Sequence, residues 1–465
     1  MKRSLVNWIG IAALAVLIPN VIMSCDSDDT NNDENITEGD SILISDSIVG
    51  NVTWEAKNQY YLKGFVYVTN GSVLNIEPGT IIKGDKETKA TLVIERGAKI
   101  YAAGTETEPI VFTSAKSAGE RSYGDWGGIV ICGYAPVNAT AGYQKIEGGP
   151  RSLFGGSDAS DNSGVLQYVR IEFAGVEYAT DNEINGLTLG GVGSGTTIDH
   201  IQVSYCGDDS YEWFGGSVNA KYLVAYRGWD DEFDTDNGYS GKLQFLVGLR
   251  DPNVADKSKS NGFESDNDAN GSSNSPYTSP VFSNVSLFGP YTTLTDVVNP
   301  TGGSSTGSFQ AAMHLRRNTK LSCFNSVFAG WPKGLFIENG GKGDAQGNAT
   351  NGSLVLSNNI LAGMIQNYVE DPTVTAGFNE AYWTRSAGKN TVLTNNSDLG
   401  LSNPFSLTAP KFNATSTSSA VFGKASFTDS KVAVGFFDKV TYVGAFGTED
   451  WTKGWCNFDP QNTIY

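Results

Sequence analysis

Two copies of an acidic pentapeptide hold the residues of this chain that are best suited to chemistry. Residues 233–237 read Phe-Asp-Thr-Asp-Asn, and residues 263–267 read Phe-Glu-Ser-Asp-Asn, so each position is identical or conservatively replaced. Carboxylates that recur at matched positions can hold a cation, or they can act in pairs as general acid and base. The preceding Phe233 and Phe263 are expected in the core rather than at a ligand.

A looser third copy of the pattern lies upstream at a constant offset of 22 residues. The matching pairs are Asp208 with Asp230, Asp209 with Asp231, and Glu212 with Asp234. Offsets of 22 and 30 residues correspond to one coil of a β-solenoid, in which equivalent side chains of successive coils stack about 4.8 Å apart. The resulting acidic wall is the predicted metal site, with Asp209, Glu212, Asp231, Asp234, Asp236, Glu264 and Asp266 as its ligands.

Stacked carboxylates at this spacing repel each other by about 3.5 kcal/mol at an effective dielectric near 20. The wall therefore needs a cation, protonation, a hydrogen-bond network or full solvation. Calcium is the natural cation, since it accepts six to eight oxygen ligands in flexible geometry. Three interpretations stay open: a solvated edge of turn-forming residues, a calcium site that is structural or supports binding, and a catalytic site.

Aromatic and basic residues near the wall suit a carbohydrate ligand. Trp213, Trp229 and Tyr239 are predicted to stack on sugar rings, and Arg227 to contact a uronate. No motif identifies a base for a lyase, and the many carboxylates do not single out one hydrolase pair. The pair Arg316-Arg317 is interpreted as a solvated turn, and His200 and His314 as structural residues.

The elements that must position these residues are short β-rich runs separated by glycine. Residues 74–82 and 92–100 share the pattern apolar–x–apolar–Glu–x–Gly–x–x–apolar, a strand, a glycine bend and a second strand. Further runs follow at intervals of about 20–35 residues. A β-sandwich also has many short strands, but hairpin dipeptides do not separate most of these runs. The predicted fold is an all-β, right-handed, single-stranded parallel β-helix (β-solenoid).

The ends of the chain indicate an exported protein. Lys2 and Arg3 precede an apolar run that ends in Ile22-Met23-Ser24-Cys25, which resembles a lipobox and places a lipid on Cys25. The predicted domains are a signal peptide at 1–24, a disordered acidic tether at 25–47 and the β-helix at 48–465. Trp451, Trp455 and Phe458 are expected to cap the C-terminal end of the solenoid.

Charge and cysteine content narrow the functional classes. The net charge is −18 and becomes −20 when the two cations of the leader are removed, which argues against nucleic acid as a partner. The four later cysteines, Cys132, Cys206, Cys323 and Cys456, include no C-x-x-C pair, so a zinc site is not expected. The sequence does not pair them into disulfides.

Three segments carry a resemblance to a known family. The pieces GFVYVTNGSVLNIEPGTIIKGD, LVIERGAKIYAAGTETEPIVFTS and GAFGTEDWTKGWCNF resemble the β-helical, pectin-lyase-like lipoproteins of the Bacteroidota outer membrane. The resemblance covers nearly all of residues 50–465 and implies a lipid-anchored protein on the outer membrane that faces the cell exterior. It carries no catalytic residue set onto these positions.

The function expected from these observations is a surface binding or scaffolding module. Its partner would be a polysaccharide or an outer-membrane protein, with Ca2+ in the acidic wall. The alternative is a calcium-dependent polysaccharide lyase or glycoside hydrolase that acts at the same wall, because pectate lyases of this fold hold calcium with stacked carboxylates.

Overall fold

The computed structural model describes residues 40–180, 182–303 and 306–465, and almost every regular element in them is a strand. In chain order the first strands are β1 Ser41–Ile44, β2 Asn51–Trp54, β3 Gln59–Leu62, β4 Phe65–Val68, β5 Val73–Ile76, β6 Ile81–Gly84, β7 Thr91–Ile94, β8 Lys99–Ala103, β9 Ile110–Ser114, β10 Gly128–Cys132, β11 Gln144–Lys145 and β12 Leu153–Phe154.

The central strands are β13 Gly164–Glu172, β14 Glu177–Ala179, β15 Asn182–Glu183, β16 Leu187–Gly190, β17 Thr197–Ser204, β18 Tyr211–Phe214, β19 Asn219–Tyr226, β20 Phe233–Asp236, β21 Lys242–Leu249, β22 Val254–Ala255, β23 Phe263–Ser265 and β24 Val281–Phe288.

The last strands are β25 Gly302–Gly303, β26 Met313–Leu315, β27 Ser322–Phe324, β28 Val327–Ala329, β29 Lys333–Ile337, β30 Leu356–Ser357, β31 Ile360–Ala362, β32 Gln366–Tyr368, β33 Thr391–Leu393, β34 Leu401–Asn403 and β35 Lys411–Ala414. The helices are α1 Ala345–Thr350, α2 Phe378–Thr384 and a 3-10 turn at Asn396–Leu399.

The strands form a parallel β-helix, as the sequence predicts. A parallel 10-stranded sheet runs in the order β4, β7, β10, β16, β18, β20, β23, β26, β29, β32, and a second sheet of 17 strands forms the other faces. The coil that contains β18 and β19 returns as β20 with Glu212 opposite Asp234, which is the predicted offset of 22 residues. The next coil is longer because residues 251–262 are inserted, and it returns with Asp234 opposite Glu264.

The second sheet turns a corner inside its long strands. β13 pairs with β8 through its first half and with β9 through its second half. Tyr168, His200, Tyr222 and Phe245 occupy equivalent positions at this corner, and all have a left-handed backbone, with φ between 48° and 62°. Their rings stack in a row with centroids 4.3–5.1 Å apart. The left-handed conformation is unfavourable for residues other than glycine, and the stacking of the rings offsets that cost.

The core is built from inward-facing columns of apolar residues on the shorter sheet. One such column passes through fully buried side chains on nine successive strands: Val66, Leu92, Ile129, Leu187, Tyr211, Phe233, Phe263, Met313 and Leu335. The predicted core positions of Phe233 and Phe263 are confirmed. Because side chains alternate along a strand, the neighbouring positions face outward, and these positions form the candidate site.

Two predictions about the ends of the domain need correction. β1 pairs in parallel with β3, so the solenoid already includes residues 41–44, ahead of the predicted start at Ile48, and these residues are not a disordered tether. The predicted leader, Cys25 and most of the tether lie outside the described residues. In the described chain no helix has the length and hydropathy to cross a membrane.

The C-terminal aromatic residues do not cap the end of the solenoid. Trp455 packs on the aromatic corner, with its ring 5.8 Å from Tyr168 and 5.5 Å from His200. The chain then reaches the early coils, where the Tyr465 hydroxyl donates to Glu172 at 2.7 Å. The corner exposes aromatic faces that need cover, and this return segment provides it. At the C-terminal end, α2 contacts β29 and β32 and contributes Tyr382 and Trp383 to the core.

Candidate metal centre

The candidate site occupies part of one outward-facing column on the shorter sheet. In order along the solenoid, the column contains Tyr67, Val93, Val130, Thr188, Glu212, Asp234, Glu264, His314 and Phe336. Its first members lie under inserted segments, in an apolar cluster that includes Ile146, Phe154 and Ile184. The column becomes acidic at the strand where this cover ends.

A second acidic column precedes these strands, at the corner of each coil. Asp209 Oδ1 accepts a hydrogen bond from the backbone N–H of Asp231 at 2.8 Å. Asp231 Oδ1 accepts in turn from the backbone N–H of Asn261, and the Asn261 amide oxygen accepts from that of Ala311 at 3.2 Å. One oxygen of each carboxylate is thus used to hold the next coil in register. Both aspartates also line the cavity beside the wall.

This cavity, the acidic pocket, has a volume of about 220 Å3. Its charged and amide lining residues are Glu147, Asn182, Glu183, Asn185, Asp208, Asp209, Glu212, Asp230, Asp231, Asp234, Lys259, Glu264 and Arg316. Nine of these are carboxylates and two are cations. Such an excess of negative charge in a buried cleft strongly favours bound cations.

Two groups of three carboxylates in the pocket are close enough to ligate metal ions. The first group is Asp208, Asp209 and Asp230, and the second is Asp209, Glu212 and Asp234. Within each group the candidate ligand atoms lie within 4.8 Å of one another. Asp209 belongs to both groups, so two ions bound there would share one carboxylate.

The carboxyl groups in these two sets of three have raised pKa values. Burial, followed by repulsion from neighbouring carboxylates, raises the pKa of Asp209, Glu212 and Asp234 well above the usual range. Burial raises the pKa of Asp230 to about 7. Without a cation, these carboxyl groups therefore retain protons in the folded protein at a pH where exposed carboxyl groups are ionised.

The far half of the wall is neutralised by the protein itself. Arg316 Nε lies 2.9 Å from Asp266 Oδ1, Arg316 also pairs with Glu264, and Arg317 lies 2.7 Å from Asp266. Burial alone would raise the pKa of Glu264, but Arg316 and His314 outweigh it and lower that pKa to about 2. Glu264 and Asp266 are therefore structural ion-pair partners rather than the metal ligands predicted for them, and the Arg316-Arg317 pair is not the predicted solvated turn.

In the half of the wall that holds the two groups of three, some carboxylate oxygens have no partner. Asp230 Oδ1 and Asp234 Oδ1, one in each group of three, are buried atoms with no hydrogen-bond partner in the described structure. Buried acceptors without a partner cost free energy, and a cation would satisfy them. The all-oxygen donor set also suits a hard metal ion. The residues of the pocket can therefore hold a metal ion.

The other two predicted metal ligands have different positions. Asp231 lines the pocket, but it belongs to neither group. Asp236 follows Asp234 by two residues and lies opposite Phe214, outside both groups and outside the pocket lining. The set brought together by the structure is therefore Asp209, Glu212 and Asp234 from the prediction, with Asp208 and Asp230 added.

Two predicted sugar-stacking residues are in the core. Trp213 and Tyr239 are both fully buried, and their rings stack on each other 5.4 Å apart. Trp213 follows Glu212 directly in β18, so its side chain points to the opposite face of the strand. These two residues cannot contact a sugar at the wall, and that prediction is wrong.

The remaining two predicted ligand residues differ in their surroundings. Arg227 is ion-paired with Asp251, and its guanidinium lies 4.8 Å from the ring centroid of Tyr205, so it is not free to bind a uronate at the wall. Trp229 lines a separate groove that adjoins the acidic pocket. Of the four predicted ligand residues, only Trp229 lies in a cavity next to the candidate site.

Several site residues were missed because no repeat marks them. Glu147 and Asn185 come from the inserted segments, and Asn185 donates to Glu147 at 3.2 Å and also to Glu212. His314 and Arg316 could have been found by extending the column one more coil, since His314 lies opposite Glu264. The coil from Glu264 to His314 is about fifty residues long, so the sequence shows no constant offset between these two residues.

The cysteines take no part in the site. Cys132, Cys206 and Cys323 are buried, Cys456 is partly buried, and all four are free thiols. Burial raises the pKa of the Cys132 and Cys323 thiols to about 12, so these groups are unreactive core residues.

Comparison with known proteins identifies the fold family. A family model described as a pectate-lyase-like β-helix domain matches residues 46–455. No curated protein and no solved structure gives a significant match.

Proposed function

This chain belongs to the pectate-lyase-like β-helix domain family, and on that basis we propose that it is a calcium-dependent glycan-binding module. In this proposal it is anchored to the outer membrane through lipid on Cys25 and faces the cell exterior. The observation that carries the proposal is the pair of three-carboxylate groups that share Asp209.

The donor set supports calcium over other ions. Each group offers only carboxylate oxygens, and calcium accepts six to eight oxygens at 2.3–2.6 Å in flexible geometry. Zinc prefers cysteine and histidine, neither of which belongs to either group. Magnesium keeps several waters and is usually held by one or two carboxylates, so a dense carboxylate cluster suits calcium better.

The arginine of the pocket lining has a structural role and does not favour lyase chemistry. A lyase needs a base that can take a proton from the substrate, and Arg316 is the arginine in the pocket lining. Burial alone would lower the pKa of Arg316, but its ion pairs with Glu264 and Asp266 outweigh that effect and raise it. Arg316 is therefore held as a cation in a structural network.

A second candidate function is glycoside hydrolysis at the same wall. Oxygens of Glu212 and Asp234 lie within 4.8 Å of each other, close to the separation of about 5 Å found in retaining glycosidases. The raised pKa of both groups would suit a general acid. A bound calcium ion would occupy the same oxygens, so the two functions make opposite predictions about added calcium. A scaffolding role for an outer-membrane protein remains the third candidate.

Thermal melting and a glycan array test the proposal together. We expect calcium to raise the melting temperature, EDTA to reverse the rise, and glycan binding to require calcium. The absence of a calcium-dependent shift would contradict the metal site. Cleavage of a polysaccharide that calcium inhibits would favour the hydrolase. Capture of an outer-membrane protein that is independent of sugar and calcium would favour the scaffold.

Membrane attachment needs a separate test, since Cys25 lies outside the described residues. We expect the Cys25→Ala variant to lose metabolic labelling with palmitate and to leave the membrane fraction. Protease treatment of intact cells should degrade the wild-type domain if it faces outward. Labelling that persists in the variant would contradict lipidation at this position.

A further inference from the structure

A second cavity adjoins the acidic pocket and is not explained by metal binding. This aromatic groove has a volume of about 580 Å3, and its lining includes Tyr123, Trp229, Lys86 and Lys89. Asp208 and Glu183 line both cavities. The groove therefore opens directly onto the first three-carboxylate group, which contains Asp208.

One wall of the groove is aromatic. The rings of Tyr123 and Trp229 meet edge to face, with centroids 6.1 Å apart at 83°. Tyr123 packs in turn on Tyr205 at 5.4 Å, which holds the pair in place. The Trp229 Nε1 atom is buried without a hydrogen-bond partner, so the indole offers its ring rather than its polar edge. Partly exposed rings in a cavity suit the apolar face of a sugar ring.

The charges of the groove do not favour an anionic ligand. Its lining contains five acidic and three basic side chains. Lys86 Nζ lies 3.2 Å from the buried carboxylate of Asp125, and Lys89 Nζ donates to the carbonyl oxygens of Glu177 and Tyr178 at 2.9 Å each. These two ammonium groups already have partners, so an incoming carboxylate would have to compete for them and would meet an excess of negative charge.

We propose that the aromatic groove binds a neutral saccharide, whose ring packs on Trp229 and whose hydroxyl groups complete the coordination of a calcium ion held by Asp208, Asp209 and Asp230. This inference rests on the proposed function and specifies its ligand class. Three carboxylates do not fill a coordination sphere of six to eight oxygens, so positions remain for hydroxyl ligands. Neutral hydroxyls supply those oxygens without adding charge to a cluster that is already strongly negative.

Calorimetry with matched oligosaccharides tests the inference. The probes are neutral oligosaccharides from glucan, mannan and galactan, with oligogalacturonate as the acidic counterpart, each at saturating calcium. We expect a neutral probe to bind better than oligogalacturonate. The Trp229→Ala variant should weaken neutral binding by about tenfold or more, and Trp229→Phe should retain most of it.

The controls separate this inference from the proposed function. Tyr134→Ala removes an exposed aromatic side chain outside both cavities and should leave binding unchanged. The calcium-dependent rise in melting temperature should persist in Trp229→Ala, which shows that the variant folds. Calcium-dependent binding of oligogalacturonate alone, or unchanged neutral binding in Trp229→Ala, would overturn the inference and leave the proposed function intact. Failure of every probe to bind would overturn both.

Discussion

The Asp209 side chain accepts a hydrogen bond through Oδ1 from the backbone N–H of Asp231, at 2.8 Å. The same carboxylate belongs to both three-carboxylate groups. One side chain thus joins two successive coils and also serves two candidate ion sites. This double role makes Asp209 the most informative position for substitution.

The first prediction is that Asp209→Asn abolishes the calcium-dependent rise in melting temperature and lowers calcium affinity by about 100-fold. Asparagine keeps an oxygen that can accept from Asp231, so the coil register survives, while the charge shared by the two sites is lost. Titration calorimetry with calcium gives the affinity. Asp236→Asn, outside both groups, is the matched control and should behave as wild type. Equal losses in both variants would contradict the assignment.

The second prediction concerns pH. Burial raises the pKa of Asp230 to about 7, against a reference near 3.9 in an unfolded chain. Between these values the folded protein binds more protons than the unfolded chain, so the free energy of unfolding falls as pH rises through that window. Metal-free protein should melt a few degrees lower at pH 8 than at pH 5. Calcium should stabilise it more at pH 8, where it does not compete with protons. Calcium stabilisation that is greater at pH 5 would contradict this.

The third prediction concerns the neutralised half of the wall. Arg316→Gln leaves Glu264 and Asp266 without their main cation, and the metal-free variant should lose about 3 kcal/mol of stability. Added calcium should restore part of the loss, because Glu264 and Asp266, no longer paired with Arg316, can then bind it. Arg317→Gln removes a single, more exposed ion pair and should cost less than about 1 kcal/mol. Urea unfolding measures both, and equal losses would argue against the central role of Arg316.

The fourth prediction distinguishes the two tryptophans. Trp213 is fully buried in the core, so Trp213→Ala should cost about 3–5 kcal/mol of unfolding free energy. Trp229 lines a groove, and its replacement by alanine should cost less, about 1–2 kcal/mol. Among the molecules that remain folded, Trp229→Ala should lose more glycan affinity than Trp213→Ala. A large stability loss in Trp229→Ala with little loss in Trp213→Ala would contradict these positions.

The fifth prediction concerns the return segment. Trp455 is almost fully buried against the aromatic corner, so Trp455→Ala should cost about 3 kcal/mol. Hydrogen exchange should show the loss of protection near the C-terminus first, and the calcium-dependent shift should persist. Loss of calcium binding in this variant would mean that the return segment supports the pocket from a distance.

Much of the fold could be predicted because a repeated sequence specifies a repeated structure. The constant offset between Glu212 and Asp234 gives the coil length, and the alternation of residue types around them gives the inward and outward faces. The fold class and the acidic column were correct for this reason. The C-terminal aromatic residues were misplaced because no local pattern shows which distant surface a non-repeating segment covers.

Within the site, the sequence by itself determined which carboxylates stack, since pairing between coils follows from their spacing. Only the tertiary structure decided which of them are available to a cation. Arg316 reaches Glu264 and Asp266 from a coil fifty residues later, and the inserted segments bring Glu147 beside Glu212. Neutralisation and burial depend on groups that are close in space and remote in the chain, and therefore no spacing in the sequence encodes them. Asp209 and Asp234 remain available to a cation because the folded chain brings no arginine or lysine into ion-pair contact with them in its described part.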